Sequence, residues 1–239
     1  MVLDITVERD PDVNDIGTDA YTVHVESHRI LTVATFSEAT VTKWLKQVFK
    51  FTKSTILVGV AAEIDNTRGW LRKKDPPYDM LCLTIGCHCL IYQYFDDKPA
   101  GLLVSFLANP RVFAVGRHMA NLCRKLKADH GIEIRNAVDV NDLAVRGLGR
   151  DDLDLGRYGL DRLAKTVLGK KMDVVRPEQE LFWHGEYESF WSMNCEVVKF
   201  YTVDVYLCYL IGLELIDAID GAADLKKMKK KKKKNKKDK

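Results

Sequence analysis

The sequence predicts an α/β or α+β domain built on a mixed β-sheet, and three features carry that expectation. Residues 55–65 form a continuous apolar run, rich in β-branched side chains, that reads as a central strand buried on both faces. Ahead of it, residues 21–25 and 30–35 alternate or are β-branched, and read as a hairpin. Beyond it, strand-like and helix-like stretches take turns, which calls for helices packed on a sheet.

Taken in order, residues 1–18 are polar and acidic without periodicity and read as a loose end. The hairpin follows, with Glu26-Ser27-His28-Arg29 between its strands. Ser37 opens a helix that carries Val41, Trp44, Leu45, Val48 and Phe49 on one face. After the central strand, residues 68–79 are charged and contain Pro76-Pro77, so they form a loop. Residues 80–93 read as one long strand, with Leu81, Leu83, Ile85, Cys87, Cys89 and Ile91 sharing a face. Cys87-His88-Cys89 invites a zinc site. Alternation turns His88 away from both cysteines, and no second pair has ligand spacing, so packing is expected instead. Residues 102–107 form a short helix, ended by Asn109-Pro110, and residues 112–115 a strand that turns at Gly116. Met119, Leu122, Cys123 and Leu126 mark the next helix, which Gly131 stops. Residues 132–140 read as a short strand ending at Asp139. Residues 141–146 and 158–168 are helical, with Gly156 and Gly159 between them and Gly169 as a cap. Residues 170–188 are loop-rich and hold Trp183 and His184. A final helix runs from about Asn194 to Ile219, and its Lys199, Asp204, Glu214 and Asp217 exclude a membrane span.

A chain of 239 residues with 46% hydrophobic content sustains one large domain, expected over residues 19–220. Nothing near Met1 reads as a signal peptide, and the six cysteines sit inside apolar segments as reduced core residues would. The expected location is nuclear or cytoplasmic. The net charge of +3 conceals an asymmetry. Residues 226–239 hold eleven lysines and one aspartate, which leaves 26 basic and 33 acidic residues in 1–225, a net of −7. An acidic body matches a phosphate backbone poorly unless a metal or a local basic patch intervenes. The segment 221–239 is expected to be disordered, and its run Lys229, Lys230, Lys231, Lys232, Lys233 and Lys234 to serve as a nucleic-acid tether, a nuclear targeting signal or a solvated tail.

Side chains alternate along a strand, so Ala61, Glu63 and Asp65 share one face of the central run. Carboxylates at the end of a buried strand need a cation or a hydrogen-bond donor. Asp204 lies on the helix face marked by Val197, Phe200, Tyr201 and Cys208, so it points inward under the same requirement. Glu63 and Asp204 read either as metal ligands or as acids paired with Lys, Arg or backbone N–H groups.

A family resemblance joins these segments. Leu57-Val58-Gly59-Val60, Cys89-Leu90-Ile91-Tyr92-Gln93, Phe106-Leu107-Ala108-Asn109-Pro110, Val115-Gly116 with its helix, Gly159-Leu160-Asp161-Arg162-Leu163-Ala164, Leu168-Gly169, and Asp204 with Ile211-Gly212 come in one order. Over about residues 20–215 the chain resembles the plant Werner-syndrome-like 3′–5′ exonuclease domain, of the DEDD superfamily and ribonuclease H-like fold. The resemblance implies four carboxylates holding two divalent ions, Mg²⁺ or Mn²⁺, which activate a water and stabilise the leaving oxygen, with a tyrosine four residues before the last aspartate. Matched position by position, Glu63 and Asp204 are retained. Ala61 stands where the family has its first aspartate, Leu122 where an aspartate falls on the helix after Val115-Gly116, and Phe200 where it has the tyrosine.

Three functions follow as expectations. The leading one is a nucleic-acid-binding protein of the exonuclease fold with weak or no cleavage. The second is an active metal-dependent exonuclease with a shifted site of Glu63, Asp65 and Asp204, in which Tyr201 stands near the lost tyrosine and His118 or His184 substitutes as base or ligand. The third is a protein–protein interaction module.

Overall fold

The computed structural model describes residues 5–13, 15–51, 55–64, 76–94, 98–172 and 193–235. Eight strands form one mixed sheet, as the alternating pattern requires. They are β1 (Ile5–Arg9), β2 (Thr18–Val25), β3 (His28–Thr35), β4 (Ile56–Glu63), β5 (Met80–Ile85), β6 (His88–Gln93), β7 (Val112–Gly116) and β8 (Asn136–Asp139). Their spatial order is β1-β2-β3-β6-β5-β4-β7-β8. β3–β6, β4–β7 and β7–β8 pair in parallel and the other neighbours antiparallel.

Helices cover both faces. α1 (Glu38–Phe51), α2 (Gly101–Leu107) and α3 (Met119–His130) pack on one, where Trp44, Leu45, Phe106 and Leu126 meet Val58, Val60, Leu81 and Leu83. α4 (Val140–Leu148), α5 (Leu160–Leu168) and α6 (Cys195–Asn235) pack on the other, where Leu143, Leu163, Val198 and Leu207 meet Val23, Cys82, Ile91 and Val115. β4 is therefore covered on both sides, and this is why its sequence is a continuous apolar run rather than an alternation.

α6 lies unusually close to the sheet. A Cβ at Gly59 would come within 2.3 Å of the Val205 carbonyl oxygen, so only glycine allows helix backbone to rest on strand backbone there. Buried hydroxyls add direction to that contact: Thr32 and Thr202 share a 3.0 Å hydrogen bond between β3 and α6.

The structure corrects the sequence reading in several places. Residues 80–93 are not one strand but the hairpin β5–β6, turned by Gly86 and Cys87 between the paired Ile85 and His88. Gly86 has φ +59, and glycine at the first of two turn positions is the type II′ pattern. Cys87 and His88 are consequently exposed while Cys89 is buried, and the shared face expected for Cys87 does not exist. The first hairpin is likewise tighter than expected, with Glu26 and Ser27 alone between β2 and β3. The stretch read as a loose end supplies β1. Ile5 pairs with Val25 at the sheet edge, and Arg9 bonds Asp19 at 2.6 Å. β8 begins at Asn136; Ile132 and Ile134 are buried ahead of it without joining the sheet. Helix α4 spans Val140–Leu148, longer than expected, and a 3₁₀ turn at Leu155–Arg157 precedes α5. The final helix does not end near Ile219. Its backbone is helical to Asn235, through most of the segment expected to lack structure, where lysine's unbranched side chain favours helix.

Candidate functional site

Parallel pairing of β4 with β7 puts their carboxyl ends side by side. β4 ends at Glu63, whose backbone oxygen accepts from the Asp79 amide at 2.9 Å and is thereby fixed. β7 ends at Gly116, and α3 begins three residues later. α6 crosses above Gly59, which sets Phe200 and Asp204 over the end of β4. In sheets of this kind the crevice beyond the carboxyl ends of the strands is the usual place for a ligand.

A cavity of about 320 Å³ opens at this point, and Ala61, Glu63, Leu122, Phe200 and Asp204 all line it. Five positions that the resemblance drew from three separate segments thus meet in one cleft. Tyr78, Arg117, His118 and Asn121 complete the wall. Asp204 Oδ1 is shut off from solvent, and Glu63 is half-buried. Both carboxylates lie near the buried Cys82 thiol. Burial, then the charges of Cys89, Glu63 and Asp204, push that thiol well above its usual 9.0. Leu122 and Phe200 are 5% and 7% exposed, so the apolar core reaches the cleft surface at these two positions.

Tyr201 does not line the cleft; it is buried in the core with its ring edge-on to Phe200. His118 does line it. Asp65 and His184, the other residues of the shifted site, lie outside the described residues, as does Trp183. Lys229, Lys230, Lys231, Lys232, Lys233 and Lys234 fall on the helical backbone of α6.

Among the described residues, the donor set does not fit a two-ion centre. Among the described residues no three His, Cys, Asp or Glu side chains converge on a point that would hold a metal. Two carboxylates supply too few oxygens for a pair of hard cations, each of which takes about six or more ligands. Cys87 is exposed and Cys89 buried, so the two thiols face different environments.

Sequence reasoning missed three residues here. Arg117 lies between the cleft and a second cavity of about 440 Å³, which also involves His118, Asp139, Asn141, Arg157 and Tyr158. Lys125 is 5% exposed, with its ammonium 5.0 Å from the centre of the Tyr78 ring. Asp139 caps two helices at once: Oδ2 accepts from the Met119 amide at 3.2 Å and Oδ1 from the Asn141 amide at 2.9 Å. One signal was available in the sequence. An Arg117-His118 pair stands directly after the strand-ending glycine, where two polar side chains interrupt the apolar pattern. His118 adopts φ +52, the left-handed conformation that aims the chain from β7 into α3.

No family model matches the sequence, and no curated protein matches it either. Solved structures do resemble it. An apo form of a nuclease aligns with 74% of this chain and 78% of its own, at 15% identity and TM-score 0.53. NrnC of Brucella melitensis aligns with 72% of this chain and 78% of its own, at 14% identity and TM-score 0.51. The EXD2 exonuclease domain, from a crystal soaked in Mn and Mg, covers 80% of this chain and 92% of its own, at 18% identity and TM-score 0.39. The first two share this chain's fold at a TM-score above 0.5. At such identities they establish the fold alone: a mixed sheet flanked by helices, of the ribonuclease H-like kind found in exonucleases.

Proposed function

We propose that this protein is a Werner-like member of the DEDD exonuclease fold that binds nucleic acid and cleaves it weakly or not at all. One observation carries the reading: Ala61, Leu122 and Phe200 line the same cleft as Glu63 and Asp204. The positions that would complete a two-ion centre are on its surface, and they offer a methyl, an isobutyl and a phenyl group. Two-metal hydrolysis needs both the attacking and the leaving oxygen stabilised. A cleft with two of four carboxylates lacks half of the charge that would hold the ions. Residues 19–220 act as the binding body on this reading, and the lysine run that ends α6 as a basic tether, which compensates for the acidic body.

The test is a nuclease assay on single-stranded and recessed-end DNA and RNA with Mg²⁺ or Mn²⁺. The expected result is binding without 3′-end trimming above background. Clear trimming that disappears in Glu63→Ala overturns the reading. It would favour the shifted centre of Glu63, Asp65 and Asp204, which keeps a specific point in its support: Glu63 and Asp204 do face the same cavity. Absence of any binding to DNA or RNA would leave the protein-interaction reading.

A further inference from the structure

The cavity beside the cleft has no part in the reading above, and it contains an unusual cation. Arg117 lines both cavities from the turn between β7 and α3. Its Nε is closed off from solvent and makes no hydrogen bond, and no ion pair involves Arg117 among the described residues. A guanidinium N–H taken out of water without an acceptor is unfavourable, and an oxyanion is the group that relieves it. The carboxylate nearest in the turn does not serve. Both oxygens of Asp139 already accept backbone amides, at 3.2 and 2.9 Å, so its charge is engaged by two helix starts. Those amides are likewise unavailable to a ligand. The Asn141 side-chain Nδ2 donates to the Leu155 and Tyr158 carbonyls at 2.8 and 3.0 Å, which fixes the cavity wall. Arg157 faces the same cavity from the 3₁₀ turn. It is exposed, and its Nε is 3.7 Å from an Asp154 carboxylate oxygen, a loose pairing that leaves it able to turn inward. Asp142, exposed as well, is the one lining carboxylate whose side chain has no such backbone role.

We propose that this second cavity is a phosphate site that works without a metal ion, in which Arg117 holds a backbone phosphate of a nucleic-acid strand and Arg157 closes on it from the opposite wall. The proposal rests on the nucleic-acid reading and deepens it: where the acidic centre has lost ligands, the strand is held by a cation of the protein itself. A guanidinium presents two parallel N–H donors to a phosphate, so Nε and one Nη would engage two oxygens together. The volume of about 440 Å³ accommodates a nucleotide unit.

The experiment is binding of fluorescein-labelled ten-nucleotide DNA and RNA to the full chain, over a series of salt concentrations, with EDTA or with Mg²⁺. The expected result is equal binding in the two buffers, a loss of about tenfold or more in Arg117→Gln, a smaller loss in Arg157→Gln, and a salt slope reduced by about one in each. Arg117→Lys keeps the charge without the fork and should recover only part of the affinity. Thermal melts of the variants separate lost binding from lost folding. Should Arg117→Gln fail to fold, Arg117→Lys and Arg157→Gln are read in its place, and wild-type affinity in both overturns the proposal. Wild-type affinity in Arg117→Gln, or binding abolished by EDTA, overturns it while the binding function stands. No binding of any oligonucleotide by the wild type overturns both.

Discussion

The two walls of the cleft differ in what they keep. The wall built from β4 and α6 still presents Glu63 and Asp204, two carboxylates at the rim of the core. The wall built from β7 and α3 presents Leu122 and Arg117 instead, an apolar side chain and a cation. The acidic wall is held from behind by contacts that do not depend on its charges: the Asp79 amide on the Glu63 oxygen, and the approach of α6 to Gly59. On the other wall Leu122 belongs to the core, packed with Met119, Leu126 and Ile132. A charge is unfavourable to keep in a core, so a carboxylate at the position of Leu122 would cost more than one at the half-buried Glu63.

The strongest way to break this contrast is to make the walls alike again. A triple variant, Ala61→Asp, Leu122→Asp and Phe200→Tyr, is expected to gain Mg²⁺-dependent 3′-end trimming at least ~100-fold above the wild type. Leu122→Asp alone should lower the unfolding free energy by about 2–5 kcal/mol in urea, because a buried leucine is lost and a carboxylate takes its place. An inert but folded triple variant would show that the walls differ in more than these three side chains. A smaller effect sharpens the picture on the β7–α3 side. Asp139→Ala removes the caps of α3 and α4 together and should cost about 2 kcal/mol, at about 1 kcal/mol for each cap. A change within a few tenths of a kcal/mol would mean that the helix starts are held by something else.

The smallest effect concerns pH and the acidic wall. The Cys82 and Cys89 thiols both titrate near 9.0 when exposed. Burial pushes Cys82 well above that value, and holds Cys89 at about 11 against hydrogen bonds from Thr84, Thr202 and Thr32 that lower it. Each folded thiol thus retains its proton where the unfolded one loses it. The stability they contribute is fully present below about pH 9 and falls as pH rises towards 11. Cys82→Ala should flatten the upper part of that decline in urea midpoints measured between neutral pH and pH 11.

Much of the fold was legible because one periodicity dominated each segment. The Trp44 helix, the β4 run and the α3 stripe of Met119, Leu122 and Leu126 lie where their spacing puts them. Residues 80–93 were misread because both strands of the β5–β6 hairpin are buried on two faces. The apolar run therefore continues through the turn, and Gly86 was its only punctuation. β1 escaped notice because a five-residue edge strand needs only Ile5 and Val7 against the core and exposes Thr6, Glu8 and Arg9. The cleft positions Ala61, Glu63, Leu122, Phe200 and Asp204 were named from the order of motifs, and the fold gathers them. Arg117, Asp139 and Lys125 were not, because an unpartnered Nε, a doubly used carboxylate and a buried ammonium are relations between distant segments that spacing along a chain does not encode.

The contact at Gly59 bears on how such a protein changes over time. Helix main chain rests on strand main chain there, so the outline of the cleft is drawn by atoms that every sequence shares. The side chains facing the opening then act as interchangeable fittings on a fixed frame. A lineage can exchange them, one residue at a time, without first inventing a new shape, and a hydrolase scaffold can drift into a receptor while its pocket stays in place.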